Sequence, residues 1–177
     1  MDAQELKNAI DTIRRADLTP QSGLGEDLFL MVSGLVPLPN IDLLVQNDAG
    51  QILLTRRNDR WFQNSWHIPG GCMRYGETFE ECVRATSLRE LGIEVYADEQ
   101  PLTVQNVISG PHPDKPYPRE RGHNVAILFG CAVPAGWNPD NGNKKETDNG
   151  YMKWFSRLPD DFMDIQHVYD KFLKAWQ

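Results

Sequence analysis

Long apolar runs are missing from this chain: nowhere in its 177 residues is there a stretch near the roughly 20 apolar residues that a membrane-crossing helix needs. A soluble chain without a membrane partner is the expectation. Positive charge is scarce as well. Lys and Arg number 18 against 25 Asp and Glu, a formal net charge of −7, and no basic run occurs. That balance argues against a general binder of phosphate backbones, so nucleic acid is not an expected partner, although a local basic pocket still suits a nucleotide. Cysteine is sparse. Cys72, Cys82 and Cys131 are odd in number and lack zinc-type spacing, and no charged-apolar-small signal opens the chain, so the cytoplasm is the expected location. No internal repeat is visible, and the length is that of one ordinary domain.

What the sequence does contain is a stretch that begins as a glycine turn, becomes a helix and stops at a glycine, from Gly70 to Gly92. Pro69-Gly70-Gly71 closes the apolar segment Trp66-His67-Ile68, and two glycines let the backbone approach a ligand with no Cβ in the way. Glu77 is read as opening the helix, where the dipole favours a carboxylate, and Gly92 as its left-handed cap. Glu90 then falls in the last turn. The dipole mildly disfavours a carboxylate there, so a partner is needed, and a hard cation such as Mg2+ suits it.

These residues resemble the Nudix hydrolase box, G-x5-E-x7-R-E-U-x-E-E-x-G-U. Gly71, Glu77, Glu90, Gly92 and Ile93 fit the pattern; Ala85 and Thr86 stand where it has Arg-Glu, and Arg89 where it has the first Glu of its later pair. Such thinning is similar to the GDP-mannose mannosyl hydrolase branch, which cleaves the sugar carbon–oxygen bond. The resemblance implies an α/β fold, a Nudix α/β/α sandwich with a mixed β-sheet over residues 36–177, behind an N-terminal helical extension, residues 1–35. It also implies a small-molecule nucleotide-sugar substrate, GDP-mannose or GDP-glucose, and a homodimer. One Mg2+ (or Mn2+) would be held by Gly70, Glu90 and Asp148.

By the same resemblance Arg57 neutralises the diphosphate and Asp42 positions the sugar or leaving group. Arg119 and Arg121, in the proline-rich loop Gly110 to Gly122, are placed to close on phosphates, and the loop is long enough to be a lid. Tyr75, Trp61 and Phe62 flank the turn as rings for a nucleobase. The branch usually has Gln-His before the Lys153-Trp154 strand; Asp148 and Asn149 stand there instead. Asp148 and His123 are therefore the candidates for the base that activates water, with His112 in the loop beside it. His67 and His167 read as structural. Two rivals remain: a Nudix pyrophosphatase acting on a nucleotide diphosphate derivative, and a non-catalytic nucleotide-sugar binding module.

Along the chain, Leu6, Ile10 and Ile13 predict an amphipathic helix over Asp2 to Asp17 that packs as an arm, with partner docking or a dimer contact as the alternative. The apolar run Leu28 to Val36 reads as a strand or edge segment, although its periodicity also allows a short helix. Ile41–Val45 and Gln51–Arg57 form a hairpin about Asn47-Asp48-Ala49-Gly50. Val104–Ser109, Val125–Val133 and Lys153–Phe155 are further strands. Ile165, Val168, Tyr169, Phe172 and Trp176 lie on a helical stripe from Asp164 to Trp176.

Overall fold

The computed structural model describes residues 2–15, 24–59, 62–108 and 121–173. Trp61, His112, Arg119, Trp176 and most of the expected lid lie outside the described residues.

Two helices come first, α1 (Ala3–Arg15) and α2 (Glu26–Ser33). The strand expected over Leu28 to Val36 is therefore a helix. Its apolar run has no alternation to favour a sheet, and Gly34 N–H closes it by donating to Leu30 O at 3.0 Å. The first helix forms where expected, but it is not a packing arm: none of its residues is buried, and Leu6, Ile10 and Ile13 are exposed.

The remaining chain builds an eight-stranded mixed sheet. Its strands are β1 (Leu38–Gln46), β2 (Ile52–Arg57), β3 (Ser65–His67), β4 (Gly70–Cys72), β5 (Tyr96–Ala97), β6 (Thr103–Ile108), β7 (His123–Ala132) and β8 (Met152–Phe155). The backbone path runs β3-β2-β1-β7-β5, with β4 on β1, β6 on β7 and β8 on β2. Among the ladders between these described strands only β1–β7 is parallel, with Asp42 beside Leu128.

Alternation along the central strands sends side chains to two cores. Ile41, Leu43 and Val45 of β1 join Leu53, Ile127 and Phe129 against Cys82, Val83 and Leu91 of α3 (Phe79–Leu91). The intervening positions, including Leu44, Ile52, Leu54 and Leu128, pack under Tyr169 and Leu173. Those two belong to a 3-10 turn (Asp164–Tyr169) and the short α4 (Asp170–Leu173), which replace the single long helix expected there. The architecture is the expected α/β/α sandwich. No helix among the described residues is long and apolar enough to cross a membrane.

The helix α3 is fixed at both ends. Thr78 Oγ1 accepts from Glu81 N at 3.2 Å while Glu81 Oε2 accepts from Thr78 N at 2.8 Å, a reciprocal cap. Glu77 lies before this cap, so it does not open the helix. Its carboxylate instead accepts Arg74 N at 2.7 Å and closes the preceding turn. Gly92 ends the helix in the left-handed conformation, φ 73°.

Candidate active site in a polar cleft beside the glycine strand

The pleat of β1 makes the site possible. Asn40 and Asp42 occupy alternate positions, so both project to the face opposite Ile41, and β4 lies antiparallel alongside with Gly70 opposite Asp42 and Cys72 opposite Asn40. A Cβ on Gly70 would fall 2.2 Å from Asp42 Oδ1 and 2.8 Å from Ile41 O. Glycine at this position is what lets the carboxylate lie flat against β4.

Asp42 is 4% exposed. Tyr169 donates its hydroxyl to Oδ2 at 2.6 Å, and Asn40 and Gln166 donate amides to Oδ1 at 2.9 and 3.3 Å. Gln166 is itself locked by Ile68: its Oε1 accepts Ile68 N at 2.7 Å and its Nε2 donates to Ile68 O at 3.1 Å. Burial pushes the Asp42 carboxyl up to about 7; the Tyr169, Asn40 and Gln166 bonds and the Arg57 charge pull the other way without restoring an ordinary value. A carboxyl poised near neutrality exchanges a proton readily at physiological pH.

Asp42, Asn40, Gln166 and Tyr169 line an inner recess of about 90 Å³, room for several water-sized groups. Arg57, His67, Gly70, Cys72 and Arg121 line both this recess and an outer one of about 230 Å³, where Glu90 and Asn149 join them. The two recesses are thus one cleft with an acidic inner end and a cationic mouth.

At the mouth, Arg57 lies 4.1 Å above the Phe62 ring with Nε 2.9 Å from Asp59 Oδ2, and Arg121 lies 5.8 Å from the same ring. Burial and then the charge of Arg57 lower the Arg121 pKa. The Asp59 carboxylate offsets part of the repulsion between the two guanidiniums, and a bound anion would offset more. Burial also raises the Cys72 thiol above its ordinary value, so it is no nucleophile.

His67 faces the same cleft and stays neutral. Burial, then the Arg57 charge, lowers it to about 3. Its Nδ1 is 2.9 Å from Ile68 O, which only accepts, so Nδ1 carries the proton and Nε2 accepts the Thr55 hydroxyl at 2.8 Å.

The other expected residues stand elsewhere. His123 Nε2 meets Asn106 Oδ1 at 2.7 Å on the β6–β7 ladder, outside the cleft lining. The Asp148 carboxylate turns into its own loop, accepting Lys145 N at 2.8 Å. Its neighbour Asn149 reaches the cleft, because Asn58 N donates to Asn149 Oδ1 at 3.0 Å and pins that loop to the end of β2. Tyr75 is exposed and lines neither recess. Sequence reading missed Asn40, Gln166 and Tyr169. Only Asn40 left a signal, as a polar residue two before Asp42 on an otherwise apolar strand.

Metal-binding capacity follows from the donor set. Among the described residues no three His, Cys, Asp or Glu side chains are grouped to hold an ion. Glu90 supplies a carboxylate at the mouth, beside the backbone of Gly70 and Gly71. Asp59 lines the same mouth but is engaged by Arg57, so the donor set suits a cation shared with substrate phosphates, which is how Mg2+ is commonly bound, and does not make an all-protein cage.

Residues 36–170 match a family model described as NUDIX domain. The chain is 30% identical over 114 residues to the ADP-ribose pyrophosphatase of Methanocaldococcus jannaschii, covering 64% of this chain and 62% of that protein. It is 28% identical over 87 residues to the low-salt glycan biosynthesis protein Agl8 of Haloferax volcanii, covering 49% and 55% respectively. The chain thus spans between half and two thirds of the length of these two relatives. A MutT NUDIX hydrolase from Burkholderia pseudomallei superposes with a TM-score of 0.56 at 22% identity, over 75% of this chain and 95% of that one, a likeness of fold.

Proposed function

The chain belongs to the NUDIX family of hydrolases, and from that premise we propose that it hydrolyses a nucleoside diphosphate sugar, GDP-mannose or GDP-glucose, at the sugar carbon. The observation that carries this reading is the single cleft with Arg57 and Arg121 at its mouth and the near-neutral Asp42 carboxyl at its inner end. Arginines suit a diphosphate, and a proton acceptor in the same cleft, on the side lined by Gln166 and Tyr169, suits attack on the attached sugar.

In this mechanism Arg57 and Arg121 hold the diphosphate through charge-assisted bonds, with Phe62 beneath them. Asp42 in its ionised form takes a proton from the water whose oxygen bonds to the anomeric carbon. The carbon–oxygen bond to the diphosphate breaks, the two arginines stabilise the charge that develops on the leaving oxygen, and the proton passes on to solvent. Free sugar and nucleoside diphosphate result. NUDIX hydrolases in general use divalent cations such as Mg2+; here Glu90 and the Gly70 backbone would hold one, supplying positive charge against the phosphates when bound. The glycan-biosynthesis name of the Haloferax relative supports a sugar-bearing substrate. A homodimer in the cytoplasm belongs to the same proposal.

A second reading, pyrophosphate cleavage, is favoured by the name of the Methanocaldococcus relative. A panel of nucleoside diphosphate sugars, dinucleotides and nucleoside triphosphates with Mg2+ or Mn2+, run in oxygen-18 water, separates the two. Label in the free sugar supports attack at carbon. Label in phosphate replaces it with the pyrophosphatase reading, and binding without turnover leaves a binding module.

A further inference from the structure

Glu90 does not face the cleft alone. Arg89, its neighbour in the last turn of α3, brings Nε to 3.0 Å from Glu90 Oε1. Successive helical side chains point about 100° apart, so these two meet only because both long chains bend toward each other. The bend brings Arg89 to β4. A Cβ on Gly71 would lie 2.2 Å from Arg89 Nη2 and 3.2 Å from Thr86 Oγ1, so the guanidinium is seated on a glycine that leaves room for it. At the place where this helix offers a carboxylate to the cleft, the chain therefore also supplies that carboxylate's counter-ion.

A dication approaching Glu90 meets a carboxylate that already holds a guanidinium; Asp59, the other carboxylate in this lining among the described residues, is engaged by Arg57, Arg56 is engaged by Asp161, and Arg121 adds a further positive charge. A diphosphate reverses that balance, since its negative charges attract the arginines and the cation alike. We propose that Arg89 is the resident counter-ion of Glu90, and that the cleft takes a divalent cation only together with a diphosphate, which draws Arg89 to itself and releases Glu90. This rests on the reading of the cleft mouth as a diphosphate site. Because linkage is reciprocal, the cation tightens the diphosphate by the same factor as the diphosphate tightens the cation.

The test is a Mn2+ titration of the full chain without nucleotide, followed by the electron paramagnetic resonance of free Mn2+, with melting curves to verify folding. Wild type is expected to bind weakly. Arg89→Gln, which keeps the side chain polar and removes its charge, is expected to bind about tenfold more tightly. Arg89→Lys retains the weak binding, and Arg89→Gln with Glu90→Gln loses the gain. Tight Mn2+ binding by wild type, or an Arg89→Gln affinity equal to that of wild type, overturns the inference. GDP binding is measured in parallel by tryptophan fluorescence, in EDTA and in Mg2+. No GDP binding in either condition overturns the diphosphate reading and with it the conditional half of this inference. GDP binding with an unchanged Mn2+ affinity in Arg89→Gln overturns the role of Arg89 and spares that reading.

Discussion

Tyr169 donates its hydroxyl to Asp42 Oδ2 at 2.6 Å across 127 positions of sequence, and both groups are buried. The bond favours the ionised carboxylate and so works against the burial that raises it. Tyr169→Phe is therefore expected to raise the Asp42 pKa further. If Asp42 is the proton acceptor, the acid limb of the pH–rate profile moves up by about one unit or more, the worth of a hydrogen bond to a charged group. Asp42→Asn should lower turnover by about 100-fold or more. A limb that stays in place in Tyr169→Phe would assign the titration to another group.

Asp42 and His67 pull stability in opposite directions with pH. Asp42 titrates at about 7 in the fold against an ordinary 3.8, so the native state keeps a proton that the unfolded chain has released, and stability falls as pH rises across that range. His67 titrates at about 3 against an ordinary 6.5, so its contribution is present above 6.5 and is lost as pH falls toward 3. Between those limits the two slopes, each about 1.4 kcal/mol per pH unit, cancel. The wild-type melting temperature should be flat from pH 4 to 6.5, and in Asp42→Asn it should climb over the same range. Parallel melting curves for the two proteins would remove this account.

The adjacent glycines should respond differently to alanine. At Gly70 the new methyl meets Asp42 Oδ1 and the Ile41 carbonyl, both fixed in strand β1. A destabilisation of about 1–3 kcal/mol is expected, as for other overpacked sites, together with a displaced Asp42 and reduced turnover. At Gly71 the nearest obstacle is the free end of Arg89. That substitution should be mild in denaturant melts, while the Mn2+ affinity should shift in the direction expected for Arg89→Gln.

The two arginines at the mouth are not equivalent. Arg57 is engaged with Asp59 at 2.9 Å, whereas no carboxylate among the described residues forms an ion pair with Arg121. Isothermal titration with GDP should show Arg121→Ala losing at least about tenfold in affinity, the scale of one charge-assisted bond, and Arg57→Ala losing less because Asp59 already competes for it. The reverse order would move the phosphates toward Arg57.

The legible parts of this fold are those written in neighbouring residues. The hairpin about Asn47 to Gly50 and the glycine stop at Gly92 each depend on a few adjacent positions. The start of α3 was equally local, in the spacing of Thr78 and Glu81, but the nearby Glu77 drew the expected start two residues too early. Leu28 to Val36 misled because a short apolar run fits a strand or a helix until its packing is known. The cleft follows the same rule. Gly70 has a local signal in its turn, Arg57 and Asp42 were reached through the family resemblance of their strands, and Gln166 and Tyr169 meet Asp42 only through tertiary packing. Asp148 misled because a loop carboxylate can be spent on its own turn, here on Lys145 N.

The inner wall of the cleft comes from residues 163–169, whereas Asp42 stands on the first strand of the sheet. During synthesis, a nascent chain that has emerged only through β8 exposes Asp42 without Gln166 or Tyr169 to hold it. The finished recess therefore waits on residues 163–169, which leave the ribosome after the last strand of the sheet. A ribosome stalled before this segment clears the exit tunnel would carry the arginines of the mouth but no finished pocket.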